Sequence, residues 1–136
     1  MGFCPFAAIV AANIDGRVHD VRYRQNQFHT LHSTILHHLE ELREAIRRDS
    51  GYTLEEVQAE VCLALREIRS HYSSLDTVQA MQKEYQVANG HDNVDNRHGV
   101  GIVYIVPTPH TLFYSIMTAL CAALAAGNCI ILEVCI

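Results

Sequence analysis

The sequence predicts a mostly α-helical domain with one small parallel βαβ unit near its C-terminal end. Three observations carry that prediction. Apolar residues recur at helical spacing over two long segments. Two β-type apolar runs flank a single small-residue helix. The composition is that of a folded globule, with 49% hydrophobic and 18% charged residues in 136. A chain of this length buries about 68–70% of its unfolded surface and needs no staple, so residues 1–136 are read as one domain.

Asp20 to Arg48 reads as the first long helix, with Phe28, Leu31, Ile35, Leu39, Leu42 and Ile46 forming one stripe. Glu44 precedes Arg48 by four residues, and Arg47 and Arg48 suit the negative helix end. Gly51 is placed to cap it in the left-handed conformation. Thr53-Leu54-Glu55-Glu56 has the spacing of a capping box and opens a second helix over Thr53–Tyr72. Its stripe is Leu54, Val57, Val61, Leu65, Ile68 and Tyr72. The short turn between the two helices makes them antiparallel neighbours. A weaker helix is expected from Leu75 to Gln86, then a polar loop from Ala88 to Gly99. Val100–Val106 reads as a buried-type strand stopped by Pro107. Thr111–Ala126 reads as an apolar helix ended by Gly127-Asn128, and Cys129–Val134 as a second strand. Strand, helix and strand with short joints imply a right-handed crossover and parallel pairing.

Net charge is −5 and the pI is about 5.9, which leaves no electrostatic footprint for nucleic acid or an anionic membrane. The run Leu112 to Ala126 is about 15 residues, short of the roughly 20 that a membrane span needs. Phe3 to Ala12 is apolar but has no basic residue before it, so it does not read as a secretory signal. The protein is expected to be soluble and cytoplasmic. Five cysteines (Cys4, Cys62, Cys121, Cys129, Cys135) lack C-x2-C spacing and read as buried free thiols. His29 and His32 share a helix face, and His91, Asp92, Asp95 and His98 share a loop. The helix pair has no local carboxylate or thiol to complete a set, and the loop residues could meet around a cation but read as an ordinary polar loop, so no metal is expected.

The segment Gly101-Ile102-Val103-Tyr104-Ile105-Val106-Pro107, with Ala122-Ala123-Leu124-Ala125-Ala126-Gly127-Asn128-Cys129 and Ile130-Ile131-Leu132-Glu133, resembles the aldehyde dehydrogenase superfamily. That family carries here a strand, a P-W-N-Y-P turn, a helix ending in A-L-A-A-G-N, and a strand ending in L-K-P-S-E. The Arg-Arg-Asp-Ser-Gly turn and the Glu-rich helix start also match. The resemblance implies the N-terminal portion of an aldehyde-dehydrogenase-like fold, without the catalytic domain that carries the nucleophilic cysteine.

Two departures bear on chemistry. The turn Asn that helps hold the oxyanion falls at Pro109, which has no side-chain donor. The Lys that contacts the cofactor's ribose is replaced by Glu133. No G-x-G-x-x-G is present either. A nicotinamide cofactor is therefore not expected, and neither is any other cofactor.

The strand end and turn where the family works here hold Tyr104, His110 and Tyr114, beside Thr108, Thr111 and Met117. The first three are candidate catalytic groups, able to hydrogen-bond a carbonyl or pass a proton. The other three are candidate substrate contacts. The reading this favours is a redox-inactive, cofactor-free cyclase or pericyclase (a Diels-Alderase-like protein) acting on an apolar intermediate of small-molecule biosynthesis. The alternative is a pseudoenzyme that binds a full-length dehydrogenase or another chain. The helix Thr111–Ala126 is apolar nearly all round, so a homo-oligomer, most simply a dimer, is also expected.

Overall fold

A computed structural model describes residues 6–92, 94 and 96–134. The elements in order are α1 (Ala7–Asp15), α2 (Val21–His37), α3 (Leu39–Ser50), α4 (Leu54–Ser74), α5 (Thr77–Ala88), β1 (Ile102–Ile105), α6 (Leu112–Ala125) and β2 (Cys129–Leu132). A single 3-10 turn, Arg17–His19, joins α1 to α2. The helices dominate, and β1 and β2 pair in parallel from Ile102 opposite Cys129 to Ile105 opposite Leu132.

The first long helix is two helices. At His38 the backbone leaves helical geometry (φ −104°, ψ 23°). One cause lies a turn earlier, where the Thr34 hydroxyl donates to Thr30 O at 2.8 Å. A β-branched hydroxyl bonded back on its own helix weakens the ladder and bends it. The chain stays close to helical because His38 N–H still reaches Thr34 O (3.1 Å) and Leu42 N–H reaches His38 O (2.9 Å). The expected stripe therefore survives the break: Phe28, Ile35 and Ile46 are buried.

Asp20 caps α2 by accepting from Arg22 N–H. Gly51 ends α3 at φ +69°, its N–H on Arg47 O. The Thr53–Glu56 capping box forms as read. Asp76 caps α5 by accepting from Val78 and Gln79 N–H, which starts that helix later than Leu75.

Packing follows the stripes, with trimmed ends. On α4, Val57, Val61 and Ile68 are buried, while Leu54 and Tyr72 at the two ends are exposed. Ile46 near the end of α3 packs with Val57 and Val61 near the start of α4. Phe28 early in α2 packs with Ile68 late in α4. That reversal of order makes α4 antiparallel to α2 and α3. On the same core sit Met117 and Cys121 of α6, with Ile35 and Ala64. Burying a side chain such as Phe28 or Ile68 contributes about 1.5–3 kcal/mol.

Two features were not anticipated. Phe6 to Ile14 is largely helical (α1) and lies against the sheet. Cys62, read as buried, is exposed on α4; Cys121 and Cys129 are buried. Cys4, Asp95 and Cys135 lie outside the described residues. Among the described residues no helix is long and apolar enough to cross a membrane.

Candidate functional site at the carboxyl end of the sheet

The residues between β1 and α6 form an exposed turn built on hydroxyl contacts. The Thr108 hydroxyl donates to His110 O (3.1 Å), and the Thr111 hydroxyl donates to the same oxygen (2.8 Å). Thr108 N–H reaches Ser115 Oγ at 3.4 Å. Thr111 sits at φ +48°, the left-handed region. A β-branched residue held there is strained by about 1–2 kcal/mol. With its hydroxyl turned to His110 O, Thr111 gives α6 no side-chain cap.

The cap comes from another helix. Glu60 of α4, 7% exposed, accepts the Tyr114 N–H at 3.2 Å. A carboxylate is well placed at the positive end of a helix. Its second oxygen, Oε2, is buried with no hydrogen-bond partner among the described residues. Sequence reasoning missed Glu60, because nothing in the sequence relates it to a helix start 54 residues later.

The His110 ring also has a partner that the sequence did not announce. Its Nδ1 lies 3.4 Å from the Tyr52 hydroxyl, at the turn between α3 and α4. Tyr52 is half-buried against Ile46, Val57 and Val61. The structure thus brings His110, Thr108, Thr111 and Tyr52 together. It does not pair His110 with the other two expected groups. Tyr104 is 55% exposed on β1, and the backbone of half-buried Tyr114 is engaged by Glu60. Met117, expected to touch substrate, is 3% exposed among Phe28, Ile68 and Cys121 and is a core residue. The Cys121 thiol is pushed up to about 12 by burial, so it is no nucleophile near neutral pH.

The groups at this end are an imidazole–phenol pair and two hydroxyls. They can orient a carbonyl or move a proton. Two clefts open elsewhere on the described surface, and neither is lined by His110, Tyr104 or Tyr114. Among the described residues no three His, Cys, Asp or Glu side chains converge to hold a metal ion.

The nicotinamide dinucleotide that the resemblance implies does not fit the groups present. Pro109 offers no N–H and no side-chain donor, and the Thr108 hydroxyl is already committed to His110 O. Glu133 is exposed directly after β2, its own N–H bonded to Ile105 O at 3.0 Å. It sets an acceptor-only carboxylate there, which gives a pyrophosphate no donor and repels its charge.

At the other end of the sheet the A-A-G-N segment is densely bonded. Asn128, 5% exposed, accepts Gly101 N–H at 3.1 Å and donates to Ala123 O at 3.1 Å. Gly127 sits at φ +85°, close under Val18 O. Gly127 and Asn128 therefore fasten α6 to both strands. No curated protein and no solved structure matches the sequence. The sequence profile described as "Aldehyde dehydrogenase family" matches residues 10–134, a span that includes both strands, α6 and the Gly127-Asn128 turn. The chain belongs to the aldehyde dehydrogenase family.

Proposed function

We propose that this chain is a redox-inactive member of the family that acts by docking, adding its β1–β2 pair to the sheet of a larger family chain. The observation that supports this reading is the bare parallel pair. Ile102, Tyr104, Val106 and Val134 on and beside the strands are 37%, 55%, 60% and 45% exposed. Parallel strands normally have both faces covered and belong to larger sheets. An open edge offers a row of unpaired N–H and C=O groups to an added strand. Pro109 and Glu133 argue against hydride transfer by the unit itself.

The test is co-expression with a full-length family dehydrogenase, read by light scattering after size exclusion. A stable complex that Tyr104→Lys and Val106→Lys abolish is the expected result. A self-contained homodimer, or a well-behaved monomer that ignores the larger chain, overturns the reading.

The Tyr52–His110 pair favours a second reading, a cofactor-free cyclase or pericyclase for an apolar, polyene- or terpene-like substrate. The pair would polarise a conjugated carbonyl. The enclosure that such chemistry needs would come from another protomer, because His110 is exposed. One positioned donor is worth about two orders of magnitude in rate at most. His110→Phe and Tyr52→Phe should then each slow product formation from the linear precursor about tenfold to a hundredfold. Unchanged rates in both variants sink this reading.

A further inference from the structure

The amino-terminal end of the sheet carries a feature that the charge balance of the chain hides. An open groove of about 1570 Å³ runs between the start of α2, α5, residues 96–99 and the end of α6. Four of the ten Lys and Arg residues line it: Arg22, Arg24, Lys83 and Arg97. Among the described residues none of the four is in an ion pair. Four of the other six (Arg17, Arg43, Arg47 and Arg48) are paired. The groove thus gathers cations outside any described ion pair on a chain of net charge −5.

The carboxylates of the groove offset them only in part. Of Asp20, Asp76 and Glu84, the first two are committed as helix caps, accepting backbone N–H groups of α2 and α5. Arg24 stands at the wall, donating to Ala125 O and His19 O, with its Nε buried and unpartnered. Burial holds its guanidinium below the usual pKa, and the attraction of Asp20 does not offset that. With four cationic side chains against three carboxylates the groove keeps an excess of positive charge, and its concave shape focuses the field that attracts an anion. Leu75, Met81 and Val87 give the same groove an apolar strip.

We propose that this groove binds a small organic anion, its phosphate or carboxylate head held by Arg22, Lys83 and Arg97 and its alkyl or aryl body lying on Leu75, Met81 and Val87. Arg24 stands behind the head as a fixed positive charge. Guanidinium forks suit oxyanions, which bond to them in pairs. The groove lies at the Gly99 and Gly127 end of the strands, away from the carboxyl end where Glu133 and His110 sit.

Calorimetric titration of the intact chain with hexyl phosphate, hexanoate, inorganic phosphate and hexanol tests it. Saturable binding of the alkyl anions, tighter than inorganic phosphate, is expected, and whichever alkyl anion binds tighter identifies the head group. Arg22→Gln and Arg97→Gln should each weaken that binding about tenfold. Both residues are exposed, so circular dichroism should show the fold intact. Raising salt from roughly 0.05 to 0.3 M should weaken it as well. Met81→Ser should remove the preference for the alkyl anion over inorganic phosphate. Hexanol binding as tightly as the anions, indifference to both arginine substitutions, or no saturable binding of any anion overturns the proposal.

Discussion

The two ends of the β1–β2 pair are built differently. At the amino end, Asn128, Gly127 and Gly99 interlock at close backbone contact: a Cβ on Gly99 would stand 2.4 Å from Gly127 O. At the carboxyl end, Thr108, Pro109 and His110 are exposed and held by a few hydroxyl bonds, and Thr111 is strained. At the first end a side chain on Gly99 would require the backbone to move. At the second, the Thr108, Pro109 and His110 side chains are exposed, so little packing constrains their identity. The A-A-G-N segment stands at the tight end, and Pro109 and Glu133 stand at the loose one.

Substitutions can sharpen or break that contrast. Gly99→Ala should have the largest effect, since its methyl meets a carbonyl oxygen that cannot retreat alone. We expect a loss of about 3 kcal/mol or more in denaturant melts. Asn128→Ala should cost about 1–3 kcal/mol, because the part-buried Gly101 N–H loses its acceptor and the buried Ala123 O loses a donor. If either melts like wild type, the amino end is not the fastening point.

At the loose end the sign should reverse. Thr111→Gly should stabilise by up to about 1 kcal/mol, as relief of the left-handed strain outweighs one exposed hydroxyl bond. Marked destabilisation would mean that Thr111 is held by packing and the two ends are alike. Smallest of all, Tyr52→Phe should shift stability by less than about 0.5 kcal/mol, since it removes one long, exposed contact. A larger loss would show that Tyr52 and His110 fasten the turn to the α3–α4 corner.

The helices and strands were legible because each is written locally. The period of Phe28, Ile35 and Ile46, the Thr53–Glu56 box and the run ahead of Pro107 are short-range signals. The break at His38 was not, because no sequence rule says that the Thr34 hydroxyl, which contributes to it, bonds the Thr30 carbonyl. Helix α1 was missed because it buries no residue, and an unburied apolar stretch carries no periodic stripe. At the candidate site, His110, Thr108 and Thr111 are sequence neighbours and were found together. Tyr52 and Glu60 lie 58 and 54 residues from their partners, and no spacing rule reaches that far.

The sequence by itself determined the order of the elements from α4 to β2, the parallel pairing, the family, and a residue without a side-chain donor at Pro109. These depend on residue type and on neighbours within a few positions. Only the tertiary structure decided that Met117 belongs to the core and that Glu60 caps α6. Only it gathered Arg22, Arg24, Lys83 and Arg97 around one groove. Net charge sums over the whole chain and keeps no record of position. A binding surface is made by the few charges that folding brings within a Debye length of each other.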